Sequence, residues 1–263
     1  MMPSAFEITV PASTANLGPG FDTLGAALSL TLSVTVHFDP IMEITYNGNA
    51  SVPTTVGENL ITRTALYVAA SCGCTLPNMK IAIRNPIPLG RGLGSSGAAT
   101  VAGVLLADRA CGLGLSQSQI LDYTVLIEGH PDNVSASLLG GITASYCTRS
   151  LTKEHALLEH GNLDLVPGND QLPKTYREDP LTVFVKIPVA KSVRAVVVIP
   201  RFTLATSLAR SVLPQSYSRE DVVYNLQRIA VLSVALGNPS PEIVSAAMSD
   251  KIHQEYVYKR IYD

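Results

Sequence analysis

The run "PIPLGRGLGSSGAATVAG", Pro86 to Gly103, constrains this chain more than any other stretch. Gly90, Gly92 and Gly94 alternate with larger residues, which forbids a regular helix there and lets backbone N–H groups turn inward. Ser95 and Ser96 then open a helix through the small residues Gly97, Ala98 and Ala99. A helix N-terminus carries partial positive charge and unsatisfied N–H donors, so it can hold an anion without a lysine. The run has none, unlike the common phosphate loop. The small side chains of the first turn let a polyphosphate approach the backbone. The two serine hydroxyls can cap the helix, coordinate a magnesium ion, or divide those roles, and Arg91 adds a mobile cation. A glycine-rich turn before an ordinary capped helix is the plainer reading of a bare G-x-G-x-G. The strand and "IP" before the loop, the double serine and the small-residue helix together favour phosphate.

Around this loop the elements follow from pattern. Phe6, Ile8 and Val10 share one face of a short strand, and Leu30, Leu32, Val34, Val36 and Phe38 alternate along a longer one. Pro11 to Gly25, between them, reads as a loop from its turn formers. "MEITYNG" is a strand, "ENLITRTALYVAASCG" a helix stopped at Gly73, and "KIAIRN" the strand that feeds the glycine loop. A helix is predicted over Ser95–Cys111, and a second one after Ser116 or Ser118 as its cap. Pro131 then interrupts, and "GGITASYC" returns as a strand. Thr148 to Pro180 turns polar and marks the expected boundary, with domains at 1–165 and 166–263. Beyond it the sequence predicts strands at Leu181–Ile187 and Val193–Ile199, a short helix before Pro214, and helices at Arg219–Leu236 and Pro241–Met248. Strands paired in sequence with helices grouped after them indicate an α+β fold.

Three further clusters carry polar chemistry. In "EGHPDN", Glu128 offers a hard oxygen suited to Mg²⁺, and His130 and Asn133 offer hydrogen bonds to a polar substrate. Alternatively it is a turn between helices, capped by Asp132 and Asn133. In "STANLGPGFDTLG", Asn16 and Asp22 put an amide and a carboxylate on one loop, able to hold an ammonium group or orient a hydroxyl; Asx-turn chemistry explains them equally. In "LATSLARSVLP", Thr206 and Arg210 share one face of a short helix. That arginine is either a fork for a carboxylate or phosphoryl group or a solvated helix residue. His37, His155, His160 and His253 have no such company and read as surface or core residues.

Composition excludes several classes. Of 263 residues 46% are hydrophobic and 15% charged, which supports a sizeable core and argues against disorder. A net charge of −2 with no Lys/Arg run argues against a nucleic-acid surface. The longest apolar runs, such as Ala195–Ile199, are far too short to span a bilayer, and the N-terminus lacks signal-peptide character. Four cysteines are too sparse for a disulfide framework, which places the protein in the cytosol.

The four pieces, in this order, closely resemble the homoserine kinases of the GHMP small-molecule kinase superfamily over nearly the whole chain. The resemblance implies an N-terminal domain of the ribosomal-protein-S5-domain-2 kind, an incomplete ferredoxin-like C-terminal domain, and ATP-dependent phosphorylation of homoserine on the way to threonine. It implies that Pro88, Leu89, Gly90, Arg91, Gly92, Leu93, Gly94, Ser95 and Ser96 wrap the ATP phosphates. It implies that Ser95, Ser96 and Glu128 hold Mg²⁺, and that Asn16, Asp22, His130, Asn133, Thr206 and Arg210 surround homoserine. Arg210, Glu128 and Ser95 then stand at the chemistry, with Asp22 on the substrate's ammonium and Arg210 on its carboxylate. A homodimer is implied only by this resemblance. The end of the chain departs from the pattern: "EYVYKRIYD" puts Val257 where the family has a substrate-contacting arginine, and a later Gly-rich segment is absent. A shortened C-terminal domain with exposed apolar surface is expected. A non-catalytic nucleotide-binding protein, or a kinase for another hydroxylated metabolite such as mevalonate, is the alternative.

Overall fold

The computed structural model describes residues 4–48, 51–149, 151, 180–199 and 206–262. Among them, one mixed sheet carries the architecture. Strand β2 (Leu24–Phe38) is its spine, and β1 (Ala5–Ala15) runs antiparallel along one edge of it. The other edge is shared: β5 (Ile142–Cys147) pairs with the start of β2 and β4 (Met79–Asn85) with its end. Parallel to β4 lies β3 (Glu43–Gly48), and β6 (Thr182–Ile187) extends the sheet beyond β5.

Two of these strands are longer than their alternation predicts. β1 continues through Pro11 to Ala15, and β2 begins at Leu24, so the expected loop of Pro11 to Gly25 shrinks to the residues between them. The ladder slips between Pro11 and Ser13, a bulge that accommodates a residue without an N–H. Small residues then carry the pairing, with Ser13 opposite Ala27 and Ala15 opposite Gly25. Gly25 has a packing reason: a Cβ there would lie 2.2 Å from the Asp132 carbonyl oxygen. Its absence lets the helix that starts at Asp132 descend onto the sheet.

Helices α1 (Leu60–Ser71), α2 (Ser95–Cys111), α3 (Gln117–Glu128) and α4 (Asp132–Leu139) cover one face. Ser116 caps α3 in a reciprocal box with Gln119. The main core joins Ile8 and Val10 of β1, Val34 and Val36 of β2, Ile81 of β4, and Val101 and Val104 of α2. On the opposite face a second, smaller cluster joins Leu24 and Ile187 to Leu232, Leu236 and Ala247. Those last three come from, or just beyond, α6 (Arg219–Ala235) and α7 (Pro241–Ala247).

The α+β class holds, with two corrections in the second half. Leu181–Ile187 is a strand but returns to the first sheet, where the Asp122 carboxylate on α3 accepts the N–H groups of Leu181 and Thr182 at 3.1 and 2.9 Å. Val193–Ile199 has no ladder partner among the described residues, among which Val196 is 90% and Val198 86% exposed, so the expected strand is not seen there. Exposed apolar surface was expected here and is present, on this segment and on α6. The expected boundary at 165/166 lies outside the described residues, as do His155 and His160. Two short helices complete the chain: α5 (Thr206–Ser211) and α8 (Gln254–Tyr262), the latter not foreseen from sequence. No helix among the described residues is long and apolar enough to cross a membrane.

Candidate functional site

The cavity at the mouth of α2 has a volume of about 1030 Å³. Its floor is the glycine loop: every residue from Pro88 to Ser96 lines it. Gly90, Gly92 and Gly94 all have positive φ, at 65°, 72° and 60°. This is the left-handed backbone that glycine adopts without steric cost, and it turns successive N–H groups toward one concavity. Gly94 is the N-cap of α2 and has no side chain to satisfy the first-turn donors. Such a helix start is suited to an anionic ligand.

The two serines separate. Ser95 Oγ accepts a hydrogen bond from Asn85 Nδ2 at 3.3 Å, so its hydroxyl is tied to the end of β4. Ser96 Oγ instead donates to Glu128 Oε2 at 3.3 Å, while Thr100 Oγ1 donates to Oε1 at 3.0 Å. Glu128 ends α3 beside the first turns of α2 and lines the cavity although nearly buried. Burial raises its pKa against the opposing influence of the His130 ring and the two hydroxyls. A buried carboxylate with hydroxyl neighbours is a hard-oxygen donor set, and it fits a Mg²⁺ ion that takes its other ligands from phosphate and water. Within it Ser96 already bonds Glu128, while the Ser95 hydroxyl bonds Asn85.

Next to this corner the start of α4 presents His130 and Asn133. His130 Nδ1 lies 2.8 Å from Asp132 Oδ1, and Asp132 is 1% exposed. Burial opposes the imidazolium, but the hydrogen bond and charge of Asp132 outweigh it, and the His130 pKa is raised from 6.5. Asp132 was expected only as a helix cap; it does accept the Asn133 N–H, at 2.7 Å, and holds the imidazole as well.

The third wall comes from distant chain. In the loop between β1 and β2, Asn16 and Asp22 are the non-glycine residues with positive φ among those described, at 58° and 51°. Asn16 Oδ1 accepts the Asp22 N–H at 2.8 Å, a bridge across six residues rather than the two-residue bond of the Asx turn weighed from sequence, and it sets the direction of Asp22. The Asp22 carboxylate takes both arms of Arg210 on α5, at 2.9 and 2.5 Å. The two charges that the resemblance assigns to the substrate are thus paired with each other. Thr206 also lines the cavity, one turn earlier on α5.

Several wall residues escaped the sequence reading. His253 was set aside, yet it is buried against the cavity, stacked on Phe21 with ring centroids 5.0 Å apart. The Arg210 guanidinium lies over the same Phe21 ring at 5.3 Å, so the ring is held between a histidine and an arginine. Asp250, at the start of α8, fixes His253 by accepting its N–H at 2.8 Å with the imidazole Nδ1 3.1 Å away. Val257 does line the cavity, at the position where an arginine was expected. On the side away from α5, Tyr46, Asn59, Leu60, Ile83 and Asn85 form an apolar and amide-lined recess. Nothing local in the sequence marks them, because each belongs to or caps an otherwise ordinary element.

Comparison with known proteins gives a consistent result. Residues 59–141 match the family model "GHMP kinases N terminal domain". The chain is 47% identical over 261 residues to the homoserine kinase of Schizosaccharomyces pombe, covering 95% of this chain and 76% of that one. Against the homoserine kinase of Candida albicans it is 40% identical over 274 residues, covering 96% and 77%. The crystal structure of homoserine kinase from Cytophaga hutchinsonii superposes with a TM-score of 0.71 over 97% of this chain and 75% of that one, at 23% identity. At that identity the superposition speaks for the fold alone.

Proposed function

Since the chain belongs to the homoserine kinase family of the GHMP kinases, we propose that its cavity carries out that family's reaction on the residues described above. It transfers the γ-phosphoryl group of ATP to the side-chain hydroxyl of L-homoserine, giving O-phospho-L-homoserine and ADP on the route to threonine. The observation that carries the site assignment is Arg210, which lines the same cavity as the glycine loop and is paired there with Asp22 at 2.9 Å. Homoserine is a zwitterion with a hydroxyl at its far end. Its ammonium replaces Arg210 at Asp22, and its carboxylate replaces Asp22 at Arg210, so one ion pair is exchanged for two and neither protein charge is stranded. Mevalonate has the carboxylate but no ammonium, and would leave Asp22 without a cation.

The loop amides and the α2 N-terminus hold the triphosphate, and the recess beside Tyr46 and Asn59 holds the base. Mg²⁺, which fits Ser96 and Glu128, neutralises phosphate charge when bound. His130, with its ring fixed by Asp132, and Asn133 face the same corner and hydrogen-bond the acceptor. A loose phosphoryl-transfer transition state places little demand on a general base, so catalysis here rests on alignment and charge. The four cysteines are free thiols, which supports a cytosolic setting.

The test is ADP release measured with homoserine, with mevalonate and with no acceptor. Stimulation by homoserine alone is expected; equal release in all three would remove the assignment. In Arg210→Ala the KM for homoserine rises roughly ten- to a hundredfold, the worth of a charge-assisted hydrogen-bond pair, while the KM for ATP is unchanged.

A further inference from the structure

Beneath the acceptor corner, two buried serines that the reaction above does not use are linked by hydrogen bonds to Asn133. Ser137 Oγ, on α4, donates to Ser13 Oγ at 3.0 Å, and Ser13 Oγ donates to Asn133 Oδ1 at 3.0 Å. Ser13 is 0% and Ser137 2% exposed, so no solvent competes for these protons. A hydroxyl has one proton to give. Because Ser13 accepts from Ser137, its own proton goes to the amide oxygen of Asn133. That oxygen is thereby held by Ser13, in a residue that lines the cavity.

We infer that Ser13 and Ser137 are positioning residues whose hydrogen-bond relay fixes the Asn133 amide with its N–H donors facing the reacting oxygen. The inference rests on the phosphoryl-transfer reading of the cavity. An unanchored primary amide has two nearly isosteric orientations, one of which would aim a carbonyl oxygen at a phosphate and repel it. The relay removes that choice. Its placement supports the role. The Ser13 N–H donates to the Leu93 carbonyl at 3.2 Å, and a Cβ on Gly94 would lie 2.2 Å from Ser13 Oγ and 2.8 Å from Asn133 Oδ1. Ser13 thus joins the phosphate loop to α4, and Gly94 leaves the room in which the two meet.

The experiment compares Ser13→Ala, Ser137→Ala, Asn133→Ala and the Ser13→Ala/Asn133→Ala double variant by steady-state kinetics with ATP and homoserine. Removing a transition-state donor costs on the order of a hundredfold in kcat, expected for Asn133→Ala. Ser13→Ala loses about tenfold in kcat with little change in either KM, and Ser137→Ala, safe for folding because alanine suits a helix, loses about threefold. The double variant is no worse than Asn133→Ala, because Ser13 acts only through the amide. Multiplying losses in the double variant, or wild-type kcat in both serine variants, overturns the inference. A readout independent of turnover separates this from failure of the kinase reading. The Asn133 side-chain amide gives one sharp NH₂ pair by NMR in the wild-type chain and a shifted or exchange-broadened pair in Ser13→Ala and Ser137→Ala. An unchanged pair in both overturns the relay even if homoserine proves not to be the acceptor.

Discussion

Replacing Gly94 by alanine tests whether the glycines of the loop are there for backbone shape or for room. Gly94 requires both. Its φ of 60° lies in the left-handed region, where a side chain costs about 1–2 kcal/mol. A Cβ would also lie 2.2 Å from Ser13 Oγ and 3.1 Å from the Ser13 carbonyl oxygen. Both neighbours are fully buried, and overpacking of that kind costs about 1–3 kcal/mol more. The total is about 2–5 kcal/mol, or roughly a 4–20 °C fall in Tm at about 2–4 °C per kcal/mol for a chain of this size. Gly92 supplies the control. Its φ of 72° carries the same conformational penalty, but nothing lies within 4 Å of its added Cβ. Gly92→Ala therefore falls by only about 2–8 °C. Gly97→Ala completes the series: its Cβ meets Val134 at 3.4 Å and Asn133 at 3.5 Å, ordinary contacts, and alanine favours the helix, so its melt is unchanged or slightly higher. The three variants are melted side by side by differential scanning calorimetry without nucleotide. A Gly94→Ala protein that melts within about 2 °C of Gly92→Ala refutes the packing argument.

Glu128→Gln keeps both hydroxyl contacts but removes a carboxylate whose ionised form burial disfavours. It is expected to melt a few degrees higher at neutral pH while kcat falls by on the order of a hundredfold or more; a lower Tm would contradict the buried-charge account. The same raised pKa means that the carboxylate weakens the fold as pH rises through it, and that magnesium dependence of turnover strengthens over that interval, as a pH series would record. Asp250 behaves oppositely. Although burial disfavours its charge, hydrogen bonds from His253, Gln254 and Asn225 hold its pKa well below the ordinary 3.8. Its contribution is complete above that value and is lost as pH falls through the depressed one. Asp250→Asn should flatten the acid limb of the Tm–pH curve below about pH 4 and raise the KM for homoserine through His253; an unaltered acid limb would count against it.

How much of this was legible depends on the distance over which each feature is specified. The glycine loop, α2 and the Ser116 cap are local, and their residues declare themselves within one or two turns. The extension of β1 was hidden because Pro11 and the small residues after it look like a turn until Ala26 and Ala27 are seen opposite them. The place of β6 was hidden for a different reason: its alternation is ordinary, and only the pairing of Ile187 with Ile142 says to which sheet it belongs. Asp22 and Arg210 were each found as candidates, but their embrace spans 188 residues and has no local signature. His253 was missed because a lone histidine in sequence says nothing about the aromatic ring it will meet. Its signal was Asp250, three residues earlier, a capping carboxylate that also reaches the ring.

The two grips of this cavity are unequally rooted in the chain. In the proposed reading, the nucleotide's phosphates are held by one continuous stretch, whereas the acceptor also needs Asp22 and Arg210, brought from opposite ends of the polypeptide. During synthesis, then, a nascent chain acquires a seat for the energy donor long before it can tell one alcohol from another. Over evolutionary time the same asymmetry leaves α5 and α8 free to vary, so that a new acceptor can be recruited without disturbing the part that handles ATP.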